Sequence, residues 1–384
     1  MTNQNFPSDW KAIRFGDFTI RENSKFDPKS NKDSYPCIEL EHISQGTGKI
    51  LGHILAKEQK STKNVFKAEN VLFGKLRPNL KKFAQPNFDG VCSSEIWVMN
   101  AIEKECDNTY LFYLVQSDRF QHVANVTSGT KMPRSDWNYV SKAIFYLPPL
   151  PEQRAIAEIL STRDEAIAIT EQLIAVLKKR KKGLMQRLLT GQIRFPGFNQ
   201  EWKEEKLSNI CDITTGKMDA NHGDNGGEYP FYTCADKPIR SPTYSFDGDS
   251  IIMPGNGANV GLVWFYSGKF EAYQRTYVLN NFKCNPLFLF QHLLANWKKA
   301  NESIQYGSAT NYIRIQNFDI YKILLPTIAE QEKIVELLQT YDREIQLFKQ
   351  KLTALQKQKK GLMQRLLTGK VRVNPERFSS DLMA

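Results

Sequence analysis

Eleven residues, Lys-Lys-Gly-Leu-Met-Gln-Arg-Leu-Leu-Thr-Gly, occupy positions 181–191 and return unchanged at positions 359–369. We call the shift from the first copy to the second, from position 181 to position 359, the repeat offset. The same shift aligns Glu152-Gln153 with Glu330-Gln331 without a gap. A period close to half of the 384-residue chain indicates two related halves and not a solenoid of many short units. Two such halves predict a molecule that performs one task at two places.

Each repeated stretch closes a predicted long helix. Apolar residues recur at alternating steps of four and three, which is the heptad pattern of a coiled coil. Proline-bearing turns at 148–151 and at 326 precede the two helices, and Gly191 and Gly369 are natural helix stops. A helix of roughly 38 residues would extend about 57 Å. The predicted seams consist of Ile156, Leu160, Ile167, Ile174, Leu177, Leu184 and Leu188, and of Ile334, Leu338, Tyr341, Ile345, Phe348, Leu352, Leu355, Leu362 and Leu366.

The sequence leaves two interpretations of these seams open. Each could be a packing face in a helical bundle, or the two could pair with each other about a pseudo-two-fold axis. An antiparallel pairing would place Ile174 opposite Phe348, Leu177 opposite Ile345, Lys181 opposite Tyr341 and Arg163 opposite Lys359. The last of these pairs brings two cations together, which is unfavourable unless both side chains reach outward to solvent.

Length and charge limit the class of protein. A chain of 384 residues is expected to form two or more domains. The formal net charge of +11, with a pI near 9.2, predicts an anionic partner, with nucleic acid first and an acidic protein or membrane surface second. Basic runs at 178–182 and 357–360 fit either a solvated helix face or a contact with DNA phosphates.

Cysteine usage and hydropathy predict a cytoplasmic protein that does not enter a membrane. The six cysteines include no Cys-x-x-Cys pair, which favours reduced thiols over a zinc site, and the five histidines show no metal-ligand spacing. The polar, uncharged stretch 1–5 does not resemble a signal peptide. No run of 18 uninterrupted apolar residues is present, so no membrane span is predicted.

The segments outside the long helices carry strand signals, for example at 70–74, 95–99, 250–253 and 261–266. A helix is predicted from Thr109, and another from Pro286 with Asn285 as its N-cap. Each half is therefore predicted to be an α+β domain followed by a long helix. The predicted organisation is a first globular domain at 1–147, a helix at 148–191, a second domain at 192–325, a helix at 326–372 and a tail at 373–384.

The two globular domains share an outline and differ in detail. Trp10-Lys11 has a counterpart in Trp202-Lys203, and 128–130 aligns with 306–308 at the repeat offset. Between these anchors the sequences diverge. A constant scaffold with divergent loops predicts a protein that recognises two different target sequences. The scaffold positions the loops in the same way in both domains, and the different side chains on the loops select different targets.

Motifs of catalysis are absent from the sequence. No P-loop occurs, and the glycines at 255–261 miss the dinucleotide-binding spacing by one residue. The stretch 285–288 lacks the second proline of the adenine methyltransferase loop, and no Ser/His/Asp or Cys/His arrangement can be argued from spacing. A chain of this length without a candidate catalytic or metal site predicts a binding protein.

The predicted loops hold groups suited to DNA. Arg and Lys suit guanine edges and phosphates, and Asn suits adenine. For any one of these residues the alternative is ordinary loop polarity. The candidates for DNA contact are Lys75, Arg77, Asn79, Lys81, Lys131 and Arg134 in the first domain, and Lys217, Asn256, Asn259, Arg275, Asn311 and Arg314 in the second.

On these features the chain resembles the specificity subunit of bacterial type I restriction–modification systems. The motifs that carry the resemblance are 147–153 and 325–331, which open the helices, and 183–191 with its copy, which close them. The stretches 71–78 and 93–99 look like the less constant pieces of the target recognition domains of that family. The second domain departs from the pattern, since Met253-Pro254-Gly255-Asn256 stands near the place of Leu76-Arg77-Pro78.

The resemblance implies a non-catalytic subunit that binds double-stranded DNA with a bipartite target. Each recognition domain would read one half, and the paired helices would set the gap between the halves. The implied partners are two modification subunits, which methylate adenine N6, and restriction subunits, which translocate and cut DNA. S-adenosylmethionine, ATP and Mg are implied in those partner subunits, and no cofactor is expected on this chain.

Two alternatives from other classes remain. The chain could be a coiled-coil adaptor that joins two proteins without binding DNA, or a fused restriction–modification enzyme. The basic charge weighs against the adaptor, and the lack of catalytic motifs weighs against the enzyme. Salt-dependent binding to duplex DNA would exclude the adaptor, because the adaptor does not bind DNA. Methyl transfer by the isolated chain would identify the fused enzyme, because a specificity subunit has no catalytic activity of its own.

Overall fold

The first domain and the first long helix begin the chain. The computed structural model describes residues 6–31, 33–128, 132–224, 226–301 and 312–376. The elements of the first part are β1 (Lys11–Arg14), α1 (Phe15–Phe18), β2 (Thr19–Glu22), β3 (Lys25–Phe26), β4 (Pro36–Ile38), β5 (Ile54–Leu55), β6 (Lys63–Phe66), β7 (Val71–Gly74), β8 (Phe83–Ala84), β9 (Gly90–Cys92), β10 (Ile96–Ala101), α2 (Asn108–Leu114), α3 (Asp118–Ala124), β11 (Thr127–Ser128), β12 (Arg134–Ser135), α4 (Trp137–Val140), β13 (Ile144–Leu147) and α5 (Leu150–Leu188).

The second domain and the second long helix follow. Their elements are β14 (Lys203–Lys206), α6 (Leu207–Ile210), β15 (Asp212–Thr215), β16 (Tyr229–Tyr232), β17 (Ile239–Ser241), β18 (Asp249–Pro254), β19 (Trp264–Ser267), β20 (Glu271–Ala272), β21 (Thr276–Asn280), α7 (Pro286–Asn301), α8 (Ile315–Asp319), β22 (Lys322–Leu325) and α9 (Ile328–Leu366). Short 3-10 turns lie at Leu40–His42, Ala56–Glu58, Pro78–Leu80 and Ala220–His222. The α+β prediction, with two domains and two long helices, is confirmed.

The described residues form two compact units. The first runs to Glu171 and resumes at Lys351, and the second runs from Gln172 to Gln350. Each unit therefore holds one globular domain together with one part of α5 and one part of α9. The five segments predicted from the sequence divide the chain differently, because they treat each long helix as a segment of its own.

The first unit is built on a four-stranded antiparallel sheet in the order β2-β10-β7-β8, beside a five-stranded sheet in the order β3-β6-β9-β4-β5. Strand β1 pairs with β13, so the start and the end of the domain meet. The core between the four-stranded sheet and the helices is aromatic, with Phe15, Phe73 and Phe120 fully buried and in ring contact. Ile156 and Leu160 of α5 and Leu366 of α9 join the same core.

The second unit repeats this frame. Its four-stranded sheet has the order β15-β21-β18-β19, beside a three-stranded sheet in the order β17-β16-β20. Strand β14 pairs with β22, as β1 pairs with β13 in the first unit. Fully buried Phe288 and Trp297 of α7 pack in the core with Leu188 of α5 and Leu338 of α9. Full burial of one such apolar side chain contributes about 1.5–3 kcal/mol.

The start of each long helix is fastened by the same hydrogen bonds. Gln153 donates through Nε2 to the carbonyl oxygen of Pro148 at 2.9 Å and accepts the backbone N–H of Asp107 at 2.9 Å. Gln331 makes the two equivalent bonds, to the carbonyl of Pro326 and from the N–H of Asn285, each at 2.8 Å. The recurrence of this fastening in both repeats explains why Gln153 returns as Gln331 at the repeat offset.

The helix ends match the sequence prediction. Helices α5 and α9 are each 39 residues long. Gly191 and Gly369 follow them with φ of +71° and +68°, a left-handed conformation that costs glycine little. Asn285 caps α7, since its side-chain oxygen accepts the N–H groups of Leu287 and Phe288 at 3.0 and 3.1 Å. By contrast, the strand predicted at 261–266 begins only at Trp264.

An ion pair with a buried carboxylate closes each unit. Arg372 donates to the two carboxylate oxygens of Glu152, each at 2.8 Å, and also bonds Asp9. Arg194, the counterpart of Arg372 at the repeat offset, donates to both oxygens of Glu330 at 2.9 and 2.7 Å. The Glu152 side chain is 4% exposed and that of Glu330 is 0% exposed. A carboxylate so buried needs a forked, charged donor to replace the water it has lost.

Two contacts predicted across the seams are wrong in detail. Lys181 was expected beside Tyr341, but its Nζ lies 2.7 Å from both carboxylate oxygens of Asp342, and Arg180 stands over the Tyr341 ring instead. Lys359 was expected beside Arg163, but in the first unit its ammonium group contacts Asp164. These long side chains reach past the residue directly opposite them, and an acidic neighbour attracts the ammonium group.

Lys359 instead binds the carboxylate of Asp164, with its Nζ 2.6 Å from one oxygen. The hydroxyl of Tyr113 donates to the same carboxylate at 2.9 Å. The expected clash of two cations is therefore replaced by an ion pair. Every predicted seam residue is buried or half-buried in its own unit.

Candidate nucleic-acid interface

Three chain segments converge beyond the end of strand β7 in the first domain. The backbone N–H of Lys75 donates to the carbonyl of Glu95 at 2.9 Å, and the carbonyl of Lys75 accepts the N–H of Ser135 at 2.9 Å. Leu76 forms an isolated antiparallel bridge with Arg134. The segment after β7 is thus held between the start of β10 and strand β12.

The second domain has the same convergence beyond strand β18. The N–H of Gly255 donates to the carbonyl of Arg275 at 2.8 Å, and the carbonyl of Gly255 accepts the N–H of Ile313 at 2.8 Å. Asn256 forms an isolated antiparallel bridge with Tyr312. The backbone pattern therefore equates Gly255 with Lys75, Asn256 with Leu76, Arg275 with Glu95 and Tyr312 with Arg134.

We name these two places the first and the second convergence: the first is Lys75, Leu76, Glu95 and Arg134, and the second is Gly255, Asn256, Arg275 and Tyr312. They share a backbone and differ at all four side chains. Such a difference on a common frame is what two recognition domains with different targets require.

The first convergence is an ionic cluster. Arg134 donates to both carboxylate oxygens of Glu95, at 3.0 Å from Nε and 3.1 Å from Nη2, and Lys75 Nζ lies 4.0 Å from the same carboxylate. The hydrogen bonds from Arg134 hold the pKa of the Glu95 carboxyl below its usual value. The three side chains are between 26% and 41% exposed, so the cluster faces solvent in part. Its arrangement fixes the direction of the Arg134 guanidinium.

A protruding turn follows the first convergence. Arg77 and Lys81 flank the 3-10 turn Pro78–Leu80 and have φ of +50° and +49°, which is rare for residues with a side chain. The N–H of Arg77 donates to the carbonyl of Pro133, and the carbonyl of Lys81 accepts the N–H of Gly46 at 2.9 Å. Arg77, Asn79 and Lys81 are all exposed. Strained backbone that presents exposed cations is a common property of binding loops.

The second convergence is an open recess. Its volume is about 400 Å³, and its walls include Asn256, Gln274, Arg275, Tyr277 and Tyr312. Gly255 stands where the first domain has Lys75, and a Cβ there would lie 2.5 Å from the carbonyl oxygen of Arg275. No carboxylate lines the recess among the described residues. In the described part of the chain, the recess therefore has polar walls without a negative charge of its own.

The other predicted residues of the second domain differ in their surroundings. Asn259 donates its side-chain amide to the carbonyl of Cys234 at 2.8 Å, so that part of Asn259 holds the loop together. Arg314 stacks on the Tyr312 ring and donates to its hydroxyl at 3.0 Å. Lys217 is exposed on the segment after β15. Lys131 and Asn311 lie outside the described residues, as do most of the aligned residues at 128–130 and 306–308.

Sequence reasoning missed residues of these surfaces, among them Glu95, Gln274 and Tyr277. Glu95 was noted only as the first residue of a strand, and Gln274 was not singled out at all. Their alignment with the candidate cations depends on pairing between distant parts of the chain, which no local pattern reveals.

The basic runs on the long helices divide into paired and exposed residues. Lys181 and Lys359 are bound to aspartates, as described above. Lys178, Lys179 and Lys182 are exposed on α5, as are Lys357 and Lys360 on α9. Both interpretations of the runs, a solvated face and a phosphate contact, therefore apply to these exposed lysines and to the exposed Arg180.

The described residues contain no group of three or more His, Cys, Asp or Glu side chains that could hold a metal ion. In the same parts of the chain, no helix has the length and apolar character needed to cross a membrane.

Comparison with known proteins places these surfaces in context. The model of the type I restriction modification DNA specificity domain matches the chain twice, at residues 7–179 and 199–357. The type I restriction enzyme MjaVIII specificity subunit of Methanocaldococcus jannaschii is 27% identical over 419 residues, covering 97% of this chain and 95% of that protein. The type I restriction enzyme EcoDI specificity subunit of Escherichia coli is 36% identical over 168 residues, which cover 44% of this chain and 37% of that protein.

A solved structure gives the same assignment of the fold. The S subunit of a type I restriction–modification system from M. genitalium superposes with a TM-score of 0.63 at 16% identity, covering 95% of this chain and 97% of that one. Two family matches that together span most of the sequence agree with the doubled frame and the doubled convergence. The chain belongs to the type I restriction modification DNA specificity family.

Proposed function

We propose that this chain directs a type I restriction–modification complex to a bipartite site in double-stranded DNA. The first domain reads one half of the site and the second domain reads the other. The observation that carries the proposal is the doubled convergence, in which one backbone frame presents Lys75, Glu95 and Arg134 in one domain and Gly255, Arg275 and Tyr312 in the other. Equal frames with unequal side chains suit two different half-sites.

The chain contributes specificity, and its partners contribute catalysis. Two modification subunits bind S-adenosylmethionine and methylate adenine N6, and restriction subunits use ATP and Mg to translocate and cut. The net charge of +11 favours association with the DNA polyanion and makes binding depend on salt. The cysteines of the described residues are free thiols, as expected for a protein that acts on DNA in the cytoplasm.

The contacts with DNA are assigned as follows. Exposed Arg77, Asn79, Lys81, Lys217, Arg275 and Arg314 make direct contacts, and Arg134 acts from its ion pair with Glu95. Asn256 contacts a base edge, while Asn259 shapes the loop behind it. Lys75, Lys131 and Asn311 complete the proposed set. The domain bounds are those of the sequence, with the recognition domains at 1–147 and 192–325, the helices at 148–191 and 326–372 and a tail at 373–384.

The long helices pair as an antiparallel coiled coil and set the gap between the half-sites. This rests on the ion pairs Lys181–Asp342 in the second unit and Lys359–Asp164 in the first. In each unit the later part of one helix contacts the earlier part of the other. A helix of 39 residues extends about 58 Å, which sets an upper limit of roughly 17 base pairs on the gap. Tilt of the helices across the duplex shortens this distance, so the half-sites lie about one turn of DNA apart, centre to centre.

Exchange of a domain tests the proposal. Residues 1–147 are replaced by the corresponding domain of a relative, and methylated adenines are mapped in the genome of a host that expresses the complex. One half of the target should change and the other should stay. A simultaneous change of both halves, or methyl transfer by the purified chain alone, would overturn the proposal.

Lengthening of the helices tests their role separately. One heptad is inserted after Leu177 and another after Leu355, which preserves both seams and adds about 10 Å, near three base-pair steps. The spacer in the mapped target should grow by about that amount. An insertion of two residues at each place is the control, because it turns the seams away from each other. An active heptad variant with an unchanged spacer would show that the helices fasten the domains without measuring the gap.

A further inference from the structure

The recess of the second convergence contains hydrogen-bond donors that nothing in the described protein neutralises. Arg275 is exposed at its edge, and among the described residues no carboxylate pairs with its guanidinium. The amides of Asn256 and Gln274 stand beside it, each with donor and acceptor atoms. The hydroxyl of Tyr277 already donates to the carbonyl of Ile313 at 3.2 Å. The groups left for a ligand are therefore a guanidinium fork, two amides and the hydroxyl of Thr215.

The first domain fills the equivalent place with its own charges. Glu95 occupies the position of Arg275 and is bonded to Arg134, and Lys75 occupies the position of Gly255. The charge at the Glu95 position is reversed in the second domain, and the side chain at the Lys75 position is missing. The recess is thus a specific feature of the second domain and not a general property of the frame.

The chemistry of the recess selects among the four bases. A guanidinium fork makes two bonds to the O6 and N7 of guanine, and an Asn or Gln amide makes two bonds to the N6 and N7 of adenine. Both arrangements use N7, which only purines carry in the major groove. Cytosine presents one donor there and thymine presents one acceptor beside a methyl group, so neither can satisfy a forked donor.

We propose that the recess reads the N7 edge of one purine in the second half-site, with Arg275 and Asn256 as the specificity-determining side chains. The inference rests on the proposed function and deepens it, because it names the base class and the atom that are read. The glycine at 255 keeps the recess open, since a Cβ there would approach the Arg275 carbonyl and the Tyr277 ring, at 2.5 and 3.0 Å.

The test removes N7 from the DNA and leaves base pairing intact. The target is first mapped with the wild-type complex, and the half read by the second domain is identified by the exchange of residues 1–147. Duplexes then carry 7-deazaguanine or 7-deazaadenine at one purine of that half at a time. Their binding to the assembled complex of specificity and modification subunits is measured by competition. One position should lose roughly 5- to 150-fold in affinity, the range for a two-point base contact.

Two variants connect that loss to the recess. Arg275→Ala and Asn256→Ala should weaken binding to the natural duplex, and in at least one of them the deaza substitution should cause little further loss, because the contact is already gone. Lys283→Ala removes an equal charge from an exposed residue outside the recess and should retain the full deaza effect. Every variant should still recognise the first half-site, which shows that it has folded and assembled.

The outcomes separate the two claims. If the wild-type complex binds all deaza duplexes as well as natural DNA, or if the deaza loss persists undiminished in both recess variants, the purine reading is overturned and the proposed function stands. If the wild-type complex has no bipartite target, the proposed function itself fails before the recess is tested.

Discussion

Arg194 donates two hydrogen bonds to the carboxylate of Glu330, whose side chain is fully buried. The indole of Trp202 donates a third, at 3.2 Å. Glu330 lies in the first turn of α9, where the helix N-terminus also favours a negative charge. The second long helix is therefore attached to the end of the first through one carboxylate that has no access to water.

The Arg194→Met variant should destabilise the second unit, because it leaves the Glu330 carboxylate buried without its charged donor. We expect the Tm to fall by roughly 5 °C or more. Lys322→Met is the matched control, since Lys322 pairs with Glu204 at a site where both side chains are 56% exposed. Calorimetry of both variants would contradict the interpretation if their Tm values fell equally.

The Lys359–Asp164 pair should show a favourable coupling in the first unit. A double-mutant cycle with Lys359→Met and Asp164→Asn, measured by urea denaturation, is expected to give about 1 kcal/mol, because the pair is only partly screened by solvent. The Tyr113 hydroxyl shares the Asp164 carboxylate, and removing it with Tyr113→Phe should reduce the coupling. The surface pair Lys67–Asp89, with side chains 74% and 49% exposed, is the control and should show less. Equal coupling in both cycles would refute the role of burial.

His292 should make the second unit sensitive to acid. Burial lowers the pKa of His292 to about 4, whereas the unfolded chain titrates near 6.5. Below pH 6.5 the unfolded state therefore takes up more protons than the folded state. The free energy of unfolding should fall as the pH drops from 6.5 to about 4, by up to about 3 kcal/mol, and then level off.

The His292→Leu variant isolates this contribution, because its counterpart at the repeat offset is Leu114, which packs in the equivalent helix. Urea unfolding at pH 7 and pH 4.5 should show a smaller loss for the variant than for the wild type. The exposed His53, changed to leucine, is the control and should leave the acid loss unchanged. An acid loss of the same size in His292→Leu would assign it to other groups.

Glu95→Gln should relax recognition of the first half-site only. The carboxylate orients the Arg134 guanidinium, and the amide cannot accept the same forked pair of bonds. Mapping of methylated adenines should reveal about a tenfold loss of discrimination at one position of that half, with the second half unchanged. Glu105→Gln, which removes the half-buried partner of the exposed Lys11, should have no such effect. Loss of discrimination in both halves would indicate general misfolding.

The sequence predicted the frame of this protein better than its contacts. Helix ends followed from Gly191 and Gly369, because a required positive φ is encoded at one position. The predicted partners of Lys181 and Lys359 were each wrong by one residue. The heptad pattern predicts which backbone positions face each other, but it does not predict how far a long side chain extends along the partner helix. The pairing of Glu95 with Arg134 could not be predicted at all, because it depends on how strands and loops far apart in the chain are brought together.

The contacts between the repeats are self-complementary. Glu152 of the first repeat binds Arg372 of the second, and Glu330 of the second binds Arg194 of the first. The two Lys–Asp pairs are exchanged in the same way. One repeat thus carries both sides of an isologous interface, of the kind found in a homodimer with two-fold symmetry. The chain has the bonding pattern of a dimer whose protomers are joined by a peptide link, so each bond between the repeats occurs twice with the roles of the two repeats exchanged.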